Sequence, residues 1–208
     1  MPKGLWVQVP PWALNMSSKL YQKYHAYITG VALGDGNLSN PNGRAVRLRI
    51  TCDNKYPKII TKIKTAISIL LPKNKISIIN RAKTYCDISC YSNRWEDLLG
   101  WKAKNGSKYK QKVRIPNWIK NDKILTKKCL SGLLETDGSV YYDRGYCMAN
   151  FVTIIPTLSN DIKELIEKIG FTANKYSIAG KNHPRFNIRI SKNTKKFLNE
   201  LGAEKTFV

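Results

Sequence analysis

The sequence is poor in acid: 14 Asp and Glu stand against 36 Lys and Arg in 208 residues, a formal net charge of +22. It also lacks any uninterrupted apolar run of about 18 residues, so a membrane-spanning helix is not expected. The stretch from Met1 to Ser18 contains Trp6, Pro10, Pro11 and Trp12 but no long apolar core and no small-residue cleavage pattern. No secretory signal is therefore read, and an intracellular setting is expected, whether organelle, archaeal cytoplasm or phage-infected cell. Five cysteines (Cys52, Cys86, Cys90, Cys129, Cys147) form no Cys-x-x-Cys pair, which argues against both a disulfide framework and a zinc ribbon. Cys86 and Cys90 alternate with polar neighbours and are expected as buried thiols on one strand face. With 42% hydrophobic and 10% aromatic residues the chain has enough apolar surface for a core, which excludes wholesale disorder.

An excess of 22 positive charges repels itself unless a polyanion is near, and a phosphate backbone answers that need. Solubility or a salty compartment is the plainer explanation of the same excess. An anionic membrane fits less well, because the basic residues are spread along the chain and not gathered on one amphipathic helix.

The sequence repeats itself. Ile28-Thr-Gly-Val-Ala-Leu-Gly-Asp-Gly36 is echoed by Leu130-Ser-Gly-Leu-Leu-Glu-Thr-Asp-Gly138, pairing Gly30 with Gly132, Asp35 with Asp137 and Gly36 with Gly138. Leu99-Gly100 pairs with Leu201-Gly202 at the same offset. Periodicity predicts matching elements in both halves. In the first half these are a helix from Lys19 to Leu33, a strand from Arg44 to Cys52, a helix from Tyr56 to Leu71, strands at Lys75–Asn80 and Thr84–Tyr91, and a helix at Asn93–Gly100. In the second they are a helix from Thr126 to Thr136, strand material from Ser139 to Ile155, a helix from Thr157 to Ile169, strands at Phe171–Ala179 and Arg185–Ser191, and a helix at Asn193–Leu201. The expected organisation is an N-terminal extension (1–18), two pseudo-symmetric α+β domains (19–101 and 126–208), and between them a Lys-rich, Pro116-broken linker (102–125) read as a solvated tether.

Each motif is a helix ending in Asp-Gly. One copy alone reads as a helix closed by a left-handed glycine. A carboxylate at a helix C-terminus, however, meets the negative end of the dipole at a cost of roughly 0.3–1 kcal/mol, and here it happens twice. Gly30 and Gly132 lie inside the helices, where glycine costs about 1 kcal/mol relative to alanine, with Gly34 and Thr136 one turn later on the same face. Such small-residue strips suit close packing of the two helices about a pseudo-two-fold axis, which would make Asp35 and Asp137 neighbours. Two carboxylates that close repel unless a cation sits between them, and oxygen ligands suit a hard divalent ion. Paired acids in a basic field fit metal-dependent phosphodiester hydrolysis.

Two strands carry alternating polar faces. Arg47, Arg49 and Thr51 oppose Val46, Leu48, Ile50 and Cys52, while Arg185, Asn187, Arg189 and Ser191 oppose Phe186, Ile188 and Ile190. Either strand alone reads as an ordinary solvated face. The match in both halves makes these residues candidate DNA contacts, since Arg and Asn suit guanine and adenine edges.

The two repeats resemble the motif that names the LAGLIDADG homing endonucleases, and two copies about 100 residues apart resemble the single-chain, monomeric branch of that family. The resemblance covers Lys19 to Gly202. It implies an α+β fold of two αββαββα domains forming a DNA-binding saddle of antiparallel sheets, the motif helices making the domain interface through Gly30 and Gly132. It further implies that Asp35 and Asp137 are catalytic and bind the divalent metals, with the Gly34 and Thr136 carbonyls as further metal ligands. The cofactor implied is Mg²⁺ or Mn²⁺, with Ca²⁺ expected to bind without supporting cleavage. The activity implied is double-strand cleavage of a long pseudo-palindromic DNA by a protein encoded within an intron.

Leu33 departs from the family pattern where the motif has its first acid, whereas Glu135 fills that place in the second copy and is free to cap or pair locally. Lys55 and Lys192 are the candidates for a basic residue polarising the active-site water, against the plainer role of phosphate contacts. His183, in Asn182-His183-Pro184, and His25 are read as loop or packing residues. An RNA maturase, with intron RNA as partner, or a non-cleaving DNA-binding regulator is the competing expectation, weakened by retention of both acids. An intein is disfavoured, because Met1 is no nucleophile and the chain closes on Lys205-Thr-Phe-Val208.

Overall fold

The computed structural model describes residues 11–180 and 182–205, with side chains from residue 18 onward. The expected extension falls partly outside these residues, at 1–10. The first half runs α1 (Pro11–Gly34), β1 (Gly36–Ser39), β2 (Arg47–Asp53), α2 (Pro57–Leu70), β3 (Ile76–Asn80), β4 (Tyr85–Tyr91) and α3 (Trp95–Leu99). The second half runs α4 (Asn117–Lys120), α5 (Lys123–Thr136), β5 (Gly138–Asp143), β6 (Tyr146–Thr153), α6 (Pro156–Lys168), β7 (Ala173–Ile178), β8 (Arg185–Ile190) and α7 (Thr194–Leu201).

Local chemistry sets the boundaries. Prolines open α2 and α6 at their first helical positions, where the missing N–H costs nothing. Asp122 caps α5 by accepting hydrogen bonds from the Ile124 and Leu125 amides at 2.7 and 2.9 Å, a motif worth about 1 kcal/mol.

Two four-stranded antiparallel sheets result, ordered β1-β2-β4-β3 and β5-β6-β8-β7. Their registers correspond, with Gly36 opposite Ile50 in one and Gly138 opposite Phe151 in the other. In β2 the side chains of Leu48, Ile50 and Cys52 are buried while Arg47, Arg49 and Thr51 face outward. The buried face packs on α2 through Ile59, Ile63, Ile67 and Leu70. In the second half Phe151, Ile188 and Ile190 meet Leu158, Ile162 and Leu165 of α6 in the same way. Cys52, Cys86, Cys90 and Cys129 are free thiols inside the core, and Cys147 is half-buried.

Three features differ from the sequence expectation. Helix α1 begins at Pro11, eight residues before the expected Lys19. Strand β1 is an element beyond those expected: Asn37 and Ser39 favour turns by local propensity, and pairing with Arg49 and Arg47 holds them extended. The Lys-rich segment before α5 is no solvated tether: Val113, Ile115 and Ile119 are buried. Buried Asp161 of α6 holds this segment, accepting from the Ile115 amide at 2.9 Å, from Arg114 at 3.3 Å and from Lys120.

Candidate functional site

Helices α1 and α5 cross at the two interior glycines. A methyl group on Gly30 would overlap the Cys129 carbonyl, and one on Gly132 would overlap the Tyr27 carbonyl and come 2.8 Å from the Val31 nitrogen. The contact is therefore backbone on backbone, which only glycine permits. It brings the C-terminal ends together, so that a methyl on Gly34 would overlap the Thr136 hydroxyl and stand 3.3 Å from the Asp137 carboxyl carbon. Gly36 and Gly138 do not adopt positive φ, which corrects the left-handed cap suggested by a single motif. Instead each starts a strand folded back so tightly that a Cβ would meet the Ala32 carbonyl at 2.7 Å or the Leu134 carbonyl at 2.6 Å.

Asp35 and Asp137 thus sit side by side at the negative ends of two helix dipoles. Their surroundings raise both proton affinities. Removal from water is the main cause for Asp137, followed by repulsion from Asp35, and its carboxyl is pushed up to about 6 despite the attraction of Lys108 and Lys205. Asp35 faces open solvent on one side of its cleft, yet the cleft walls raise its proton affinity as well, against the pull of the same two lysines.

Those two lysines stand beside the acids although no sequence pattern marks them. Lys108 Nζ donates to the Ala32 carbonyl at 3.0 Å, to Leu33 at 2.7 Å and to Gly34. Lys205 Nζ donates to the Thr136 carbonyl at 3.0 Å and to Gly138 at 2.6 Å. Each ammonium therefore closes the carbonyl-rich end of one motif helix, where a cation is favoured. Burial lowers Lys108 to about 8 against the pull of Asp137 and Asp35, and lowers Lys205 in the same direction.

The acids open into two hollows of nearly equal volume, about 480 and 540 Å³, each lined by residues of both halves. Asp35 lines the first with Lys55 and Lys205, and Asp137 lines the second with Lys108, His183 and Arg185. Lys55 is thus near the acids, though exposed and paired with Asp53 at 3.4 Å. Lys192 is not brought there: it lies beyond β8 and lines a separate hollow with Asp143 and Tyr146. His183, expected as ordinary turn chemistry, enters the Asp137 hollow and stacks on Tyr109 at 4.0 Å. His25 is a packing residue, donating to the Leu98 carbonyl at 2.7 Å beside Trp118.

The donor set suits a hard cation: two carboxylates that repel each other and the main-chain oxygens of Gly34 and Thr136. Among the described residues no cluster of three or more His, Cys, Asp or Glu side chains exists, so carbonyls, water and substrate oxygens would have to complete a shell, as Mg²⁺ accepts.

Flanking the hollows, each sheet turns a polar face outward. On the first, Arg49 lies between Asn37 and Ser89, and Arg47 donates to Ser39 at 3.3 Å. Thr51 is committed to Asp87 at 2.9 Å. On the second, Arg189 lies between Asn150 and Asn174 and contacts the Met148 sulfur at 3.6 Å, while Asn187 accepts from Asn150 at 3.3 Å. Arg185 reaches the central hollow, and Ser191 lies past the strand end in the hollow with Lys192. Tyr85, Tyr91, Tyr141 and Tyr176 stand exposed beside these residues; their positions follow from register, which the alternation of two single strands did not reveal.

A family model described as a LAGLIDADG-like domain matches residues 126–202. No curated protein matches the chain. Among solved structures, the homing endonuclease I-DmoI in complex with DNA and Mn is similar at 16% identity and a TM-score of 0.63, over 87% of this chain and 97% of that one. Its mesophilic variants give the same score and identity, over 96% of their chain. The N-terminal LAGLIDADG domain of DUF199/WhiA is similar at 13% identity and a TM-score of 0.61, over 88% of this chain and 84% of that one. Two motif helices packed through Gly30 and Gly132, each followed by an antiparallel four-stranded sheet, give this chain the fold seen in these structures, and residues 126–202 match the LAGLIDADG-like domain.

Proposed function

We propose that the protein is a homing-type DNA endonuclease, encoded within an intron and acting as a monomer, that makes a metal-dependent double-strand break in a long pseudo-palindromic DNA site. The observation that carries this reading is the convergence of Asp35 and Asp137 at two helix ends, between sheet faces bearing Arg47, Arg49, Arg185 and Arg189. Similar folds support it: I-DmoI structures hold DNA with Mn or with Ca, and target DNA in the presence of Mg.

Asp35, Asp137 and the Gly34 and Thr136 carbonyls would hold Mg²⁺ or another hard divalent cation. When bound, such an ion supplies Lewis-acid polarisation of water and of the leaving oxygen. The chain's own contribution is positioning and proton transfer. The arginines of both sheets neutralise phosphates and fix the register of the duplex. Lys108, held near 8 by burial, can accept the proton of the attacking water as a free amine and return it to the leaving oxygen. Lys205 occupies the equivalent place beside Asp35.

A non-cutting nucleic-acid-binding protein on the same scaffold is the second reading, with duplex DNA or intron RNA as ligand. It is favoured by one observation: the Gly34 and Thr136 carbonyls already accept lysine ammoniums, which a metal ion must displace. The test is incubation with a duplex joining the gene's flanking insertion-site sequences, with Mg²⁺ and then with EDTA. Metal-dependent discrete cleavage, abolished in Asp35→Asn and Asp137→Asn while salt-sensitive binding persists, is the expected result. Tight binding without cutting would establish the second reading.

A further inference from the structure

The two halves hold their lysines by different means. Lys108 belongs to a loop knitted by its own hydrogen bonds: Gln111 accepts from the Lys102 amide at 2.9 Å and donates to the Lys102 and Gly106 carbonyls at 2.8 and 2.9 Å. Lys205 has no such loop. It follows Glu204, whose amide donates to Glu135 Oε1 at 2.8 Å. Glu135 is fully covered, accepts from Tyr27 at 2.6 Å and pairs with Lys62 at 2.7 Å. Lys62 in turn donates to the Gly202 carbonyl at 3.4 Å.

We infer that Glu135 is a positioning residue that clasps the C-terminal segment so that Lys205 reaches the Asp35 hollow. The clasp is reciprocal. Glu135 grips the residue before Lys205, while Lys205 grips the carbonyl of Thr136, the residue after Glu135. Burying a carboxylate costs several kcal/mol unless it is paired and fully hydrogen-bonded, and all the partners of Glu135 lie on other elements: α1, α2 and the C-terminal segment. The repeat position in the first half is Leu33, buried and apolar, where the Gln111 loop makes a clasp unnecessary. Control of the two lysines is thus separable: Glu135 governs the hollow of Asp35 and Gln111 that of Asp137.

This inference rests on the nuclease reading, and its test separates the two. Strand-resolved nicking rates on the insertion-site duplex are measured for wild type, Glu135→Leu, Glu135→Gln, Lys205→Met and Lys108→Met. Glu135→Leu should slow one strand by about tenfold to hundredfold, as a displacement near 1 Å does. The strand affected should be the one slowed by Lys205→Met and not the one slowed by Lys108→Met. Glu135→Gln keeps an oxygen for the Glu204 amide and should restore most of that rate. Equal loss on both strands, or no loss, would overturn the inference. If the wild type does not cut, the nuclease reading fails, and hydrogen exchange at the Glu204 amide with reductive methylation of Lys205 decides the clasp. Protection lost in Glu135→Leu and kept in Glu135→Gln upholds it, and protection unchanged in Glu135→Leu refutes it.

Discussion

Replacing Asp137 by Asn should remove the proposed chemistry and stabilise the fold. The carboxyl rises from its ordinary 3.8 to about 6 in the folded chain, so folding disfavours its ionised form. A rise of that size is worth about 3 kcal/mol at roughly 1.36 kcal/mol per pH unit, and the partly open cleft brings the expected gain for the neutral amide to about 1–3 kcal/mol. A folded-state value above the unfolded one adds stability below about pH 4, which is lost as pH rises through about 6. Wild type and Asp137→Asn should therefore melt alike at pH near 4 and diverge above about pH 6, the variant gaining roughly 2–4 °C per kcal/mol for a chain of this size. Thermal melts across that range are the assay. Added Mg²⁺ should raise the wild-type midpoint and close the gap, because a cation between the acids offsets the same repulsion. A variant that melts below wild type at pH near 8, or a gap independent of pH, would refute the electrostatic account of the paired acids.

Gly132→Ala should destabilise by more than the roughly 1–3 kcal/mol of ordinary overpacking, since the added methyl meets the Tyr27 backbone; urea titration reads this directly. Asp161→Ala leaves Lys120 buried beside an unsatisfied Ile115 amide and should cost about 3–5 kcal/mol, with new proteolytic sensitivity between residues 101 and 116. Arg49→Ala and Arg189→Ala should each weaken DNA binding and reduce the slope of log affinity against log salt by about one, measured by fluorescence anisotropy. Cleavage by wild type should rise with pH through about 8 as Lys108 loses its proton, and Lys108→Met should flatten that limb on one strand.

The motif pair made half of the central geometry legible from sequence. Constant spacing gave Asp35 and Asp137 the same place on equivalent helices, and glycines at equivalent positions announced how closely those helices approach. The lysines were hidden because they break the repeat: Lys108 follows Gly100 by eight residues, while Lys205 follows Gly202 by three. No shared offset marks them, although both meet a motif-helix end. Lys192 looked equivalent to an active-site base only because it follows a polar strand, but β8 runs from Arg185 at the central hollow outward and carries Lys192 away. Strand β1 escaped notice for a related reason, as its two outward residues gain their extended form from Arg47 and Arg49, which no local propensity encodes. His183 depends in the same way on the Tyr109 ring, 74 residues earlier in sequence.

The same geometry explains why a chain with a net charge of +22 holds two acids of raised proton affinity at its centre. Surface charges farther than a Debye length, about 8–10 Å at moderate salt, are largely screened and cannot hold Asp35 and Asp137 ionised. Inside the cleft, removal from water raises both carboxyls, with repulsion from Asp35 adding to it for Asp137, and together these outweigh the pull of Lys108 and Lys205. Under the proposed nuclease reading, the global excess of lysine and arginine and the two central acids serve ligands of opposite sign, phosphates over the sheets and a cation between the helices. A duplex drawn onto the sheet arginines brings its own negative phosphates to the acids, deepening the repulsion that a divalent cation relieves. Metal affinity should accordingly rise when DNA is bound, and by linkage DNA should bind more tightly with the metal than without it. Titration of Mn²⁺ into the protein with and without the insertion-site duplex measures that coupling, and equal metal affinity in both would mean that the acids do not face the phosphates.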